Sequence, residues 1–462
     1  MSATVPGGAA PPAPALSART QQMLHAPVVA TLFRLATPNV IGMLAAPLVI
    51  GYDGFILGRL GADALAGVAL VFPLSMLMVQ MSGGGMGGAT TAAVARALGG
   101  GRHDDASRLA QHAIALSLIA ALMFTLAQFG FGRAIYSAMG GRGAALADAL
   151  AYSNVLFGGA VSFWLFNVLA AASRGSGNML LPAATLLGTA LLHLLLCPLL
   201  VFGWGPVRGL GVAGAAASSV TINGIGAVVM ALQLMRPGGP VQLQRLPLRL
   251  RVDLLRDILR VGVPASLNPV ISNASIAVAT AFVGSFGVAA LAGYGVAARL
   301  EYILVPIAFG FGTALTAMVA TNMGAGRPQR ALRVAWTGGA VVAAITGSIG
   351  LAAALAPSLW MNIFTTDAAV RDLGSRYLHI AGGSYGLFGL GLALLFASQG
   401  AGRMAWPLVA SSTRLLVVGA GGWIAIRLLQ VPATGFFFVV AFSLAIYGIT
   451  LAAAIRLGGW TR

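Results

Sequence analysis

The sequence predicts an all-α polytopic membrane protein, with twelve transmembrane helices in two six-helix lobes related by a pseudo-two-fold axis along the membrane normal. Three observations carry that prediction. The first is composition: of 462 residues, 58% are hydrophobic and 8% charged, at a mean hydropathy of +0.90. A soluble domain carries about 25% charged residues, so lipid must cover most of this surface. The second is a series of apolar runs long enough for the ~20 residues that a spanning helix needs. The third is an internal duplication.

Runs bounded by Gly, Pro, Arg or Asp clusters place spans 1 to 6 at 32–57, 63–92, 108–131, 148–172, 180–203 and 210–235. Spans 7 to 12 fall at 256–283, 288–320, 332–358, 373–397, 406–428 and 433–456. Pro38, Pro73, Pro264 and Pro306 lie within spans, which membrane helices tolerate where neighbours satisfy the freed carbonyls. Residues 1–28 begin rich in Pro, Ala and Gly and lack the basic-then-apolar order of a signal peptide. They are expected to form a disordered cytoplasmic tail. The N-terminal lobe then covers 29–236, a polar, basic cytoplasmic linker 237–255, and the C-terminal lobe 256–462.

LFRLATPNVIGMLAAPLVIGYDGFILGRLGADALAG (32–67) aligns without a gap to ILRVGVPASLNPVISNASIAVATAFVGSFGVAALAG (258–293). Nine positions are identical, among them Arg34/Arg260, Pro38/Pro264, Gly58/Gly284 and Gly61/Gly287. The offset is 226 there and 225 in the next two blocks, GGGRHDDASR (99–108) with GAGRPQRALR (324–333), and SRGSGNMLLP (173–182) with SQGAGRMAWP (398–407). A near-constant offset through three ordered blocks marks a duplication. Each repeat holds an even number of spans, so the second enters the membrane from the same side as the first, and the axis between them runs along the normal.

All 27 basic residues are Arg. With the N-terminus in the cytoplasm, 18 fall on the cytoplasmic side, 7 on the other, and Arg299 and Arg414 remain within spans. That bias puts both termini in the cytoplasm and accounts for the net charge of +17 without nucleic acid. The single cysteine, Cys197, excludes a disulfide framework and points away from a cysteine-based metal site. SGGGMGG (82–88) is glycine-rich like a phosphate loop but lacks its lysine. It reads instead as small residues for close helix packing.

The repeated blocks resemble the multidrug and toxic compound extrusion (MATE) family over about residues 30–456. The resemblance rests on P-x14-D-x4-G-x2-G in span 1, the G-x-G-R-x3-A-x-R loop after span 2, the S-R-G-S-G turn before span 5, and their echoes in the second half. It implies two lobes in a V around a central cavity, working by alternating access in the bacterial cytoplasmic (inner) membrane. It implies export of organic, mostly cationic and often aromatic compounds against an inward flow of H+ or Na+. No enzymatic activity, cofactor or metal is implied, and the expected form is a monomer in the bilayer.

Asp53 answers to the family's first-helix acid, which binds the coupling cation. Counted from Gly58 it lies ~8 Å below the outer surface. An Asp at a helix centre costs ~2.5–3.5 kcal/mol on insertion scales, so such groups face a cavity, and desolvation favours the protonated form. Its repeat partner is Ala279, so the fold does not require an acid there. The family's Asn and Asp on span 5 are replaced by His193 and Cys197. They lie one turn apart and share a face. Neither offers the oxygen that a hard cation prefers, so H+ is expected in preference to Na+. Ser219, where the family often has a Thr, and Asn167 in span 4 complete the candidate first-lobe site. The plainer alternatives are a helix-packing role for Ser219 and a backbone hydrogen bond for His193.

In the second lobe, Glu301 is the only glutamate. It lies ~18 Å from the outer face, and Arg414 ~12 Å from the inner one. In a core of ~30 Å these depths coincide, and an ion pair is expected. Arg299, two residues from Glu301, faces elsewhere. Asn268 in span 7 adds an uncharged oxygen. Three other functions stay open: a flippase for a lipid-linked precursor, which would want more than two inward arginines; an intramembrane enzyme, for which His193 with Cys197 is the only candidate; and a passive channel, which a two-lobe repeat fits badly.

Overall fold

The computed structural model describes residues 16–205, 207–243 and 251–460. Twelve spans cross the bundle. Spans 1 to 3 are Val28–Gly58, Ala62–Gly99 and His103–Ala138, and span 4 is the pair Gly143–Gly158 and Ala160–Gly175, bent by 45°. Spans 5 to 8 are Leu180–Phe202, Val212–Met235, Val252–Gly284 and Val288–Gly324. Spans 9 to 12 are Pro328–Leu355, Ala368–Ala401, Ala405–Leu428 and Ala433–Arg456. Several helices outrun the apolar windows of the sequence, because polar turns continue the helix beyond the hydrocarbon. Span 9 stops short of the expected 358: a separate helix, Pro357–Phe364, starts at the proline, whose ring fits a first helical turn and not a helix interior.

The duplication is visible in the backbone. Glycines with positive φ recur in pairs: Gly61 and Gly287 (119° and 102°), Gly101 and Gly326 (73° and 67°), Gly177 and Gly402 (80° and 75°). Only glycine takes this conformation without steric cost, so these turns kept their glycines in both halves. Helix packing repeats as well. Thr91 Oγ1 donates to the Ala171 carbonyl at 3.0 Å, and Thr316 Oγ1 to the Phe396 carbonyl at 2.9 Å, two bonds related by the repeat offset.

Between the lobes the contacts are reciprocal, as a two-fold axis demands. Gly99 lies against the Thr321 backbone and Gly324 against the Arg96 backbone, and Arg96 and Thr321 are themselves repeat partners. Gly85 lies against Ser266, while its counterpart Gly310 lies against Val40. Small residues let the backbones meet where lipid gives helices little hydrophobic reason to associate. SGGGMGG contributes to this seam as a π-helical turn, Met81–Met86. Its Gly84 and Gly85 carbonyls accept from Gln399 Nε2 at 2.8 and 3.2 Å.

Among the described residues, the inter-lobe hydrogen bonds all engage the half of the bundle nearest the chain termini. They include Asn39 Nδ2 to Thr313 Oγ1 at 2.8 Å and the Arg96–Asp257 ion pair at 2.9 Å. The described contacts between the lobes thus gather at the end carrying the termini, which we call the closed end, and the other, where no inter-lobe hydrogen bond is described, the splayed end.

The expectation of a disordered tail through residue 28 is overturned from Ala18 onward; residues 1–15 lie outside the described residues. Ala18–His25 is a helix capped by the Ser17 hydroxyl, and Met23 and Leu24 are buried. Its last carbonyls, orphaned as at any helix C-terminus, accept from the second lobe. Asn322 Nδ2 reaches the Met23 carbonyl at 3.2 Å, Arg327 Nη1 that of Leu24 at 3.2 Å, and Arg330 Nη2 that of Ala26 at 2.6 Å. A Pro/Ala-rich leader gave no hint of this, because the seat for Met23 exists only once both lobes are packed. The linker is tied down at its described ends: the Gln242 amide donates to Ser107 Oγ at 3.0 Å and the Arg251 amide to His112 Nε2 at 2.8 Å. Residues 244–250 lie outside the described residues.

The seam predicts a position-dependent cost of one methyl group. A Cβ on Gly310 would lie 2.8 Å from the Val40 backbone nitrogen, whereas on Gly295 of the same helix it would meet nothing within 4 Å. Gly310→Ala should destabilise by about 1–3 kcal/mol, the usual range for overpacking. Gly295→Ala should be neutral or stabilising by up to about 1 kcal/mol. Thermal unfolding of the purified variants decides it; equal midpoints would mean that the seam is not close-packed.

Candidate functional site

Three helices of the first lobe converge on one carboxylate. Asp53 comes from span 1, His193 and Cys197 from span 5, and Ser218 from span 6. His193 Nε2 lies 2.7 Å from Asp53 Oδ1, and Cys197 Sγ donates to the same oxygen at 3.5 Å. The far nitrogen of the ring, Nδ1, lies 2.9 Å from Ser218 Oγ. His193 and Cys197 are fully buried, while the Asp53 side chain keeps 21% of its surface. The carboxylate is thus the accessible member of a buried chain, on the splayed half of the bundle.

Local sequence explains how span 5 is held against span 1. Pro198 lies inside the span 5 helix and has no N–H, so the Leu194 carbonyl four residues back loses its helical donor. Tyr52 Oη supplies a donor at 2.8 Å. That bond fixes the segment carrying His193 next to the residue preceding Asp53. Cys197 packs with Ile56, Leu57, Val201 and Val212, an apolar wall beside the carboxylate towards the Gly58 end of span 1.

The hydroxyl on His193 is Ser218, one residue from the expected Ser219. Ser218 is fully buried and Ser219 only partly, since a one-residue step turns a side chain about 100° around a helix of 3.6 residues per turn. The two adjacent serines were the signal; which of them faces span 5 depends on how span 6 is rotated. Asn167 does not join this group. Its Nδ2 donates to Ser82 Oγ and to the Phe163 carbonyl, both at 3.0 Å, so it buttresses the π-helical turn of span 2. The inference from cysteine count also changes. Asp53, His193 and Cys197 place one donor atom each within 4.8 Å of one another, because the third donor arrives from a helix 140 residues away.

In the second lobe, the ion pair expected between Glu301 and Arg414 is absent from the described residues. Glu301 Oε1 accepts from Tyr377 Oη at 2.6 Å and from Tyr385 Oη at 3.4 Å. Arg414 is buried, lies over the Phe388 ring at 5.2 Å from its centroid, and its Nε has no hydrogen-bond partner. Arg414 stays close enough for its charge to act on Glu301, but the carboxylate oxygen is taken by the span 10 tyrosine hydroxyls instead of the guanidinium. Arg299 is exposed and lies 5.4 Å from the Phe364 centroid. Asn268 is buried and accepts from Ser411 Oγ at 2.6 Å.

Two packed repeats that close one end of a membrane bundle and leave the other open around a buried ionisable chain define a membrane transporter. The chain belongs to the MatE family: the family model matches residues 38–199 and 264–424, one copy in each lobe. Members of this family transport compounds and are not enzymes. The chain is 26% identical over 388 residues to an FAD transporter of Shewanella oneidensis, covering 81% of this chain and 82% of that one. It is 23% identical over 386 residues to the multidrug export protein MepA of Staphylococcus aureus, covering 82% of each. Its fold matches a multidrug resistance MATE family transporter of the MOP superfamily in an outward-facing conformation, with a TM-score of 0.85 at 23% identity over 96% of this chain and 99% of that one. It also matches a MOP superfamily transporter from Pyrococcus furiosus, with a TM-score of 0.86 at 22% identity over 97% and 100%.

The tyrosine contacts of Glu301 predict a measurable coupling. Tyr377→Phe should destabilise by about 1–3 kcal/mol, the range for a hydrogen bond to a group that can carry charge. The same change in a Glu301→Gln background should cost less. A thermal-unfolding double-mutant cycle measures the difference; strictly additive losses would remove the pair from consideration.

Proposed function

We propose that this chain is a proton-coupled exporter of organic compounds, in the bacterial cytoplasmic membrane with both termini inside, and that Asp53, His193 and Ser218 carry the coupling proton. The observation that supports this most is the unbroken hydrogen-bonded chain from a partly exposed carboxylate to a buried hydroxyl. A serine hydroxyl can donate or accept. When the site holds no extra proton, Ser218 donates to Nδ1 and Nε2–H donates to the Asp53 carboxylate. When one proton enters, Nδ1–H donates to Ser218 and Nε2–H still donates to Asp53. The site gains or loses a proton by rotating one hydroxyl, with every hydrogen bond kept. Loading also removes the net negative charge, which lowers the cost of occluding the pair in a low-dielectric interior.

The arginine bias makes the closed end cytoplasmic, so the splayed state faces outward and presents Asp53 to the side from which protons enter. The substrate leaves through the same cleft. Each proton then biases the equilibrium between the two conformations through its differential affinity for them. The second-lobe group of Glu301, Tyr377, Tyr385 and Arg414, with Asn268 and Arg299, serves the substrate or the lobe's rigidity.

A second reading concerns the substrate. One relative is an FAD transporter, and Arg414 is a buried guanidinium with an unpartnered Nε. An anionic nucleotide would suit it better than a cationic drug.

In proteoliposomes, a pH gradient acid on the side away from the termini should drive efflux at zero Na+ gradient. Asp53→Asn should fold and insert but abolish that coupling. Transport that requires Na+ and ignores pH would overturn the coupling assignment. Running cationic dyes and FAD as competing substrates separates the two substrate classes, with Arg414→Gln selectively impairing the anion if the second reading holds.

A further inference from the structure

We propose that Asp53, His193 and Cys197 form a binding site for a borderline-soft divalent cation such as Zn2+, open on its fourth side to the splayed cleft. Among the described residues it is the one place where three His, Cys, Asp or Glu donors converge, with one atom from each within 4.8 Å of the others. The donor set of one carboxylate oxygen, one imidazole nitrogen and one sulfur is that of a transition-metal site, whereas hard cations want oxygen throughout.

Two of the three spacings lie near those of a bound ion, and the third, His193 to Cys197, lies within 4.8 Å. Tetrahedral zinc, with bonds of about 2.0–2.3 Å, holds its ligand atoms about 3.4–3.6 Å apart. The Cys197 Sγ to Asp53 Oδ1 distance is already 3.5 Å, and His193 Nε2 to Oδ1 is 2.7 Å. Opening the latter by about 1 Å makes room for the ion, and Asp53 is the one member of the three with surface to move. His193 is also oriented as metal ligands are: Nε2 points into the site while Nδ1 is held by Ser218 Oγ at 2.9 Å. Such outer partners fix the tautomer and sharpen ligand basicity. Three protein ligands and a water-facing fourth position match the open type of zinc site.

Binding displaces the thiol proton of Cys197 and the Nε2 proton of His193; in the neutral ring the latter is taken up at Nδ1, where Ser218 accepts it, and in the loaded state it is released, so uptake frees one proton per ion from the neutral site and two from the loaded one. Occupancy by metal and occupancy by the coupling proton would exclude each other. That corollary rests on the coupling reading; the binding itself does not, and is measured without transport.

The test is a Co2+ titration of the purified full-length transporter in detergent, after chelator treatment, followed by displacement with Zn2+. Cys197 is the only cysteine, so a thiolate-to-cobalt charge-transfer band can arise nowhere else. The expected result is one Co2+ per chain with that band and tetrahedral ligand-field absorption, both bleached by Zn2+. Cys197→Ser should lose the band. Ser218→Ala, which leaves all three ligands in place, should weaken binding by about 10- to 100-fold, as for other outer-shell partners. No thiolate band in the wild type at saturating Co2+, or a band that persists in Cys197→Ser, would overturn the proposal. The wild-type result alone decides it if a variant fails to fold.

Discussion

Close approach of backbone to backbone at the closed end is the constraint on which the rest of the structure depends. Hydrophobic burial cannot drive two lobes together in a bilayer, where the competing solvent is as apolar as the helices. What remains is dispersion and hydrogen bonding, and both fall off steeply with distance. Glycines at 85, 99, 310 and 324 remove the side chains that would hold spans 1, 2, 7 and 8 apart. The contacts are reciprocal because the duplication supplied the same surface twice, so each gain at one seam was available at the other.

Span 1 connects this seam to the ionisable chain. Asn39 bonds across the lobes to Thr313, and Asp53, 14 residues further along, holds His193. Pro47 lies between them inside the helix and frees a carbonyl at the point where a kink would fall. One helix is thus anchored in the inter-lobe seam at one end and bonded to His193 at the other. A rearrangement of the seam must either carry Asp53 along or bend the helix at Pro47.

The lobes duplicate scaffold and not chemistry. Ala279, the repeat partner of Asp53, is buried in an apolar cluster with Val283, Ala290 and Tyr294. The second lobe places its carboxylate on span 8 instead, under two tyrosines from span 10. One ancestral helix bundle thus carries two different polar interiors, in keeping with functional groups being grafted onto a fold the packing already specifies.

The sequence by itself determined the number of spans, the duplication and the pseudo-two-fold, each from one-dimensional quantities: apolar run length and a near-constant repeat offset. That Asp53 would face His193 and Cys197 of span 5 came from the family resemblance and not from spacing alone. The sequence did not determine rotation about helix axes or contact across lobes. Ser218 and not Ser219 meets His193, because rotation of span 6 is set by packing and both serines suit the sequence equally. Glu301, expected to pair with Arg414, bonds to Tyr377 instead, because which neighbour reaches a side chain is a property of the assembled lobe and not of one chain position. Met23 and Leu24 looked like part of a featureless leader, and became a buried, capped helix only where two lobes together built the seat that receives them.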